Sequence, residues 1–329
     1  MRFMIIGGAG LLGTRLAPTL VAMGHEVALC DNFSGSVQYR TPSDHRIFTA
    51  NAGDLNALQH AFAAYKPEAI VVAPAYVCPR DVVYTFYEDT RTVLDSANVI
   101  AFLLNRSVKH VYFCSSHEVY GGPQSRKPLK ETRKITHSSN NHGTAKLAAE
   151  RFLGFRCKEL DIPYTVLRIF DMFGPRIVFS PLTGVVNFLI DGFLKREMLG
   201  LVGATHLRDF VHVDDVVGAI TRLVKVGFTG TVNIGTGKGT SLRELAAEIG
   251  KAIPMGETPI ELPDGRLPTF SSVANVSVLD SAFPKGWRPR HDVLSSIPKL
   301  VEFRRGEIEF YSRSNPLAVL NAMRGIESA

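Results

Sequence analysis

What the chain has little of narrows the field first. It carries only four cysteines in 329 residues, Cys30, Cys78, Cys114 and Cys157, and no two form a C-x-x-C pair. They lie too far apart for a zinc knuckle or a dense disulfide framework, and three sit in or beside apolar runs, where a thiol behaves as a small hydrophobe. No metal site is expected, and a reducing cytoplasm is the expected compartment. No window holds the roughly 18 uninterrupted apolar residues of a membrane span. The apolar run in the opening MRFMIIGGAGLLG breaks at glycines, unlike a secretory leader. Charge of one sign is nowhere concentrated: the formal net charge is +6, but lysine and arginine are scattered. That disfavours nucleic acid as a partner and fits an anionic small ligand, or solubility alone. Internal repeats, low-complexity stretches and a G-x-S-x-G nucleophile elbow are also missing.

What is present is an ordinary globular composition, 45% hydrophobic and 21% charged, in a chain long enough for one large or two modest domains. The first half alternates two kinds of pattern. RFMIIG, EVALCD, RIFT, AIVVA, KHVYFCSS and YTVLRIF read as short buried strands. LLGTRLAPTLVAMG, NALQHAFAAY and the stretches at about 82–104 and 142–159 read as helices. This alternation predicts an α/β fold, a doubly wound parallel sheet covered on both faces. The second half carries more Pro, Gly and loop signals. DFVHVDDVVGAITRLVKV and GTVNIGT look like returns to the main sheet, so a smaller α/β substrate-binding domain is expected to be interleaved with the first. The expected division is 1–170 with returns at about 206–237, then 171–205 and 238–305, then a helical tail at 306–329 containing LAVLNAMRGI. EFRRGEIEF reads as a mixed-charge solvated stretch.

GGAGLLG follows the first strand and opens the first helix, with glycines at Gly7, Gly10 and Gly13. Glycine permits a tight turn and close approach of backbone N–H groups to a pyrophosphate, which the helix N-terminus then favours. Leu11 and Leu12 share that turn. Asp31 ends the second strand, where an acidic residue can accept both hydroxyls of an adenosine ribose and repel a 2′-phosphate, which favours NAD. Alternatively Asp31, or Asn32 beside it, caps a loop. Asp54, with Leu55, is a candidate contact on the adenine side.

Taken in order, GGAGLLG, DNFSGS, FCSSHEVYG, HGTAK, LRIFDMFGPR, RDFVHVDDVV, VNIGTG and GWRP give the chain its resemblance to the extended short-chain dehydrogenase/reductase family, in the nucleotide-sugar epimerase and dehydratase branch. The resemblance covers about residues 1–300. It implies a Rossmann-type fold, tightly held NAD and a nucleoside diphosphate sugar substrate, while the scattered charge and lack of a long apolar run already leave no nucleic acid or membrane partner expected. It implies oxidation of a sugar hydroxyl to a ketone, with epimerase ahead of dehydratase and of uronate decarboxylase. It also implies a homodimer formed by the helices at about 82–104 and 142–159. Ser116 would hydrogen-bond the reacting hydroxyl, and Tyr120 would be structural. Lys146 would bind the nicotinamide ribose. Arg208 and Arg266 would serve the phosphates, as planar permanent cations suit, and Arg176 is a further substrate-binding candidate.

Three positions depart from that pattern. His142, four residues before Lys146 and so on the same helix face, stands where the family's general-base tyrosine belongs. An imidazole is largely neutral at pH 7 and can accept a hydroxyl proton, but it is shorter than a phenol. It either takes over the chemistry or only fills the space, in which case the protein would be a weak enzyme or a binding module. Ser116-His117-Glu118 resembles a dehydratase triplet with His in place of Asp; alternatively Glu118 makes a local salt bridge. Asp171 replaces an asparagine near the substrate. A carboxylate beside a pyrophosphate needs a cationic partner, for which Arg176 and Arg208 are candidates, or it contacts a sugar hydroxyl.

Overall fold

The computed structural model describes residues 1–34, 45–74, 82–122, 127–138, 140–175, 184–196, 200–253, 260–262 and 271–314. In chain order the elements are β1 (Arg2–Ile6), α1 (Leu11–Ala22), β2 (Glu26–Asp31), β3 (Arg46–Thr49), α2 (Leu55–Tyr65), β4 (Ala69–Val72), α3 (Val82–Leu103), β5 (His110–Ser116), a 3₁₀ turn (His117–Tyr120), α4 (Asn141–Glu159), β6 (Tyr164–Ile169) and β7 (Asp171–Phe173). Then follow α5 (Val185–Lys195), β8 (Gly200–Val202), β9 (Leu207–Arg208), β10 (Phe210–His212), α6 (Val213–Val226), β11 (Gly230–Ile234), β12 (Thr240–Ser241), α7 (Leu242–Ala252), β13 (Ile260–Leu262), α8 (Ser277–Ser281) and α9 (Val293–Ser314).

Seven strands form one parallel sheet in the order β11-β6-β5-β4-β1-β2-β3. Successive residues of a strand point to opposite faces, and β1 displays this directly. Phe3 and Ile5 enter a core with α1 and α6, while Met4 and Ile6 enter a core with α2, α3 and α4. Burial on both faces is why these strands read as continuous apolar runs. The strand order reverses between β1 and β4, the switch point at which Rossmann-type sheets open a ligand crevice. The fold is therefore the expected Rossmann-type doubly wound sheet.

α4 is the helix on which the site depends. Asn140 caps it, its side chain accepting from the Gly143 N–H at 2.9 Å. Ala145, Ala149, Leu153 and Cys157 recur every four residues and fill the core. Lys146 and Glu150, one residue further on, carry their charges to the ends of β5 and β6. Lys146 reaches the Cys114 carbonyl, and Glu150 accepts from Ser115 and forms a buried two-pronged pair with Arg168.

A third apolar cluster lies among α5, α7 and α9. Of the two return segments, GTVNI supplies β11 of the main sheet, whereas Phe210–His212 pairs with β7 in a separate two-stranded ladder. EFRRGEIEF corrects the expectation of a solvated stretch: it belongs to α9, where Arg304 is 2% exposed and clamps Asp191. A charge this deeply buried needs such a partner, which composition could not reveal. The expected boundary at 306 thus falls within one helix, and LAVLNAMRGI lies outside the described residues.

Candidate active site

One cavity of about 290 Å³ lies over the switch point. At one end are Gly7, Gly10, Leu11, Leu12, Asp31 and Asn32; at the other are Ser116, His142 and Lys146. Gly7 has φ +81°, and a Cβ there would lie 2.5 Å from the Ala73 carbonyl oxygen, so only glycine fits. Gly10 starts α1 without a side-chain cap, which leaves the first-turn N–H groups for an anion. Gly13 has a different task and does not line the cavity. A Cβ there would lie 2.4 Å from the Gly8 carbonyl oxygen, so it allows α1 to pack on the turn.

Each Asp31 oxygen accepts one backbone N–H, from Ala9 at 2.9 Å and from Phe33 at 2.8 Å. A carboxylate oxygen can accept more than one bond, so both remain able to accept from a ribose. The loop-capping and ribose-binding readings of Asp31 are thus compatible. Asn32 braces the same loop by accepting from Ser34. Asp54 and Leu55 do not line the cavity. Asp54 instead caps α2, accepting from the Ala57 N–H at 3.1 Å, and Asn51 and Ala52 take the cavity wall. With Ala50 they form the exit from β3, and sequence reasoning missed them because the charged residue of GDL is the more conspicuous candidate.

Lys146 is 4% exposed and donates to the carbonyls of Pro74 and Cys114, both at 3.0 Å. An ammonium has three donors, so one remains for a ligand. Burial lowers its pKa, against opposing pulls from Cys114, Asp89, Glu150 and Glu118. Ser116 caps the 3₁₀ turn by accepting from the Glu118 N–H. That turn packs on the start of α4, where a Cβ on Gly143 would lie 2.5 Å from the Glu118 carbonyl oxygen. Glu118 and His142 are thereby neighbours. Tyr120 is structural: its hydroxyl donates to Asn233 at 2.6 Å and its ring lies under the Arg168 guanidinium.

His117 is not brought to the cavity with Ser116. It is 7% exposed, stacks on Phe170, and points Nε2 at Asp171 Oδ2, 3.4 Å away. The reason is electrostatic, because Asp171 draws both His117 and Arg208 to itself. Arg208 Nε donates to Asp171 Oδ2 at 2.9 Å, with a second bond from Nη2 to Oδ1. Burial would raise the Asp171 pKa, but Arg208 and His117 more than offset it and hold the carboxyl well below the usual range. Burial pulls the His117 pKa down, yet Asp171 and Glu118 outweigh it and the net shift is upward. Arg176 and Arg266 lie outside the described residues.

His142 is better partnered than its sequence context suggests. Its Nδ1 lies 2.6 Å from Oδ2 of Asp89, a residue of α3 that no motif singled out. The only sequence signal was an acidic residue on a long helix, which is ordinarily a solvated one. His212 caps α6, and the neighbouring Asp209 carboxylate ties down Thr236, Gly237 and Ala274.

A model of the NAD dependent epimerase/dehydratase family matches residues 3–235. The chain belongs to that family. Its cofactor is NAD, and the glycine cradle, uncapped helix start and Asp31 fit that group. Similar along nearly the whole chain is a UDP-glucose 4-epimerase of Mycolicibacterium smegmatis, 28% identical over 320 residues, covering 93% of this chain and 99% of the relative. A UDP-N-acetyl-alpha-D-glucosaminuronate decarboxylase of Bacillus cytotoxicus is 29% identical over 272 residues, covering 75% of this chain and 79% of the relative. Among solved structures, UDP-glucose 4-epimerase of Thermotoga maritima with UDP-glucose superposes with TM-score 0.83 at 26% identity, covering 93% of this chain and 99% of that one. No helix among the described residues is long and apolar enough to cross a membrane.

Proposed function

We propose that the protein is a nucleotide-sugar epimerase that acts on a uridine diphosphate hexose through a transient 4-keto sugar. One observation carries this reading: a single cavity joins the dinucleotide cradle to Ser116, His142 and Lys146. The epimerases similar along almost the full length of the chain support it. Bound NAD would supply a reversible hydride acceptor for the sugar carbon. Gly7, Gly10, Leu11 and Leu12 hold its pyrophosphate, Asp31 and Asn32 its adenosine ribose, and the third donor of Lys146 its nicotinamide ribose. Ser116 orients the reacting hydroxyl. Arg208, with Arg176 and Arg266, serves the substrate phosphates, and a diphosphate at Arg208 shares that cation with Asp171.

The second reading is a lyase working on the same 4-keto sugar. It is favoured by Glu118, which sits close enough to act on the charges of both Lys146 and Arg208. The engagement of His117 by Asp171 counts against all three residues of the triplet acting together. The substrate-binding part is assigned to 171–205 and 238–305, interleaved with the NAD-binding part at 1–170 and about 206–237. A homodimer through α3 and α4 is supported by Phe102, Phe152 and Phe155, exposed at 68%, 46% and 63%. A cytoplasmic location is supported by Cys30, Cys114 and Cys157, all buried and unpaired.

The test is to mix NAD-loaded protein with a panel of nucleotide sugars and follow nicotinamide absorbance and product mass together. Epimerisation leaves the mass unchanged and gives a transient absorbance. Loss of water or carbon dioxide moves the assignment to the lyase. Binding without turnover across the panel overturns the enzyme reading in favour of a binding protein.

A further inference from the structure

Asp89 is 9% exposed and sits on α3, 53 residues before His142 in the chain. A carboxylate so well buried is costly unless something specific engages it. Here its Oδ2 lies 2.6 Å from His142 Nδ1, at the first turn of α4. A carboxylate at neutral pH can only accept, so the proton of a neutral imidazole must sit on Nδ1. His142 lines the cavity. With Nδ1 occupied by Asp89, the nitrogen left for a ligand is Nε2, and it carries a lone pair.

We propose that Asp89 is a positioning residue that makes His142 the proton acceptor of the reaction, by fixing the tautomer with Nε2 bare. The proposal rests on the epimerase reading. In the step it serves, the sugar O–H bond breaks and an N–H bond forms at Nε2. Bound NAD would supply the acceptor for the carbon's hydride, so that the alcohol becomes a ketone, and reversal would restore both. The charges explain why a carboxylate is needed. Imidazolium is a cation, and Lys146, one helical turn away, already holds a buried positive charge. Asp89 interacts with that charge too. A phenolate–lysine pair starts neutral and becomes +1 on taking a proton. Histidine, Asp89 and Lys146 together also start neutral and become +1. Without Asp89 the histidine and Lys146 would go from +1 to +2 at the mouth of the cavity, at a higher electrostatic cost.

Two measurements test this, one of them independent of turnover. Long-range ¹H–¹⁵N spectra of ¹⁵N-histidine-labelled protein, with and without NAD and assigned by a His142→Gln variant, read the tautomer directly. The expected result is a protonated Nδ1 and a bare Nε2 near neutral pH in the unsubstituted protein. A proton found on Nε2 overturns the proposal. In Asp89→Asn, whose shape is conserved, the tautomer should become mixed or inverted. Its kcat should fall by about 10²- to 10⁴-fold while KM and NAD affinity stay within about twofold. Full kcat in folded Asp89→Asn sinks the proposal and leaves the epimerase reading standing. Unsubstituted protein that converts no nucleotide sugar removes that reading and the catalytic role with it, whereas the tautomer spectrum separately shows whether Asp89 sets the ring's protonated nitrogen.

Discussion

His142 and His117 each face an aspartate, but at 2.6 Å and 3.4 Å and in different company. The side chain of His142 is 29% exposed, lines the cavity, and has Asp89 as its hydrogen-bond partner. His117 is buried against Phe170, and its Asp171 is already clamped by Arg208. The first arrangement leaves one ring nitrogen open to a ligand and backs the ring with a carboxylate. The second spends the carboxylate on a cation and buries the ring. The same two residue types therefore yield a candidate acid–base pair in one place and an internal ionic cluster in the other. Solvent access and the third charged group decide which.

The largest effect that would break this comparison is on rate. His142→Phe should lower kcat by about 10²- to 10⁴-fold with little loss of stability, as expected for a lost acid–base group. Steady-state kinetics alongside a thermal melt would check it. Near-normal turnover would make the two histidines alike, both structural. The next effect is on stability and runs the other way. Asp171→Ala leaves Arg208 without its carboxylate and should cost about 3 kcal/mol. Asp89→Ala removes a hydrogen bond to an imidazole instead of a pair with a permanent guanidinium, and should cost less, about 1 kcal/mol. Denaturant unfolding of both variants would compare them directly.

The smallest effect is in pH dependence. The pKa of His117 is raised in the folded protein, so its pairing with Asp171 contributes fully below the unfolded value of about 6.5. That contribution fades as pH rises through the folded value. Asp171 is shifted down, so its own contribution is complete above about pH 4 and is lost only in stronger acid. The stability gap between the unsubstituted protein and Asp171→Asn should therefore be widest near pH 5–6 and narrow towards pH 8–9. A gap independent of pH would mean that His117 stays neutral and that Arg208 alone holds Asp171.

Much of this site could be read in advance because its parts are local. Gly7, Gly10, Asp31 and Lys146 announce themselves through strand–turn–helix order and spacing, since backbone geometry fixes where such residues point. Asp171's need for a cation was likewise readable from its charge, with Arg208 named as a candidate. Reading failed where one side chain had two available tasks. Asp54 caps α2 rather than lining the cavity, and His117 goes to Asp171 rather than to Ser116. It also failed where distant helices meet, as with Arg304 and Asp191 or His142 and Asp89.

Apolar period, glycine placement and helical spacing act over a few residues, so the parallel sheet, the dinucleotide cradle and the set of groups available to the site follow from local sequence. Which charges pair does not. Ion pairs depend on distance and on how much water remains between the partners, and both are set when α3 packs on α4 and β7 packs beside β10.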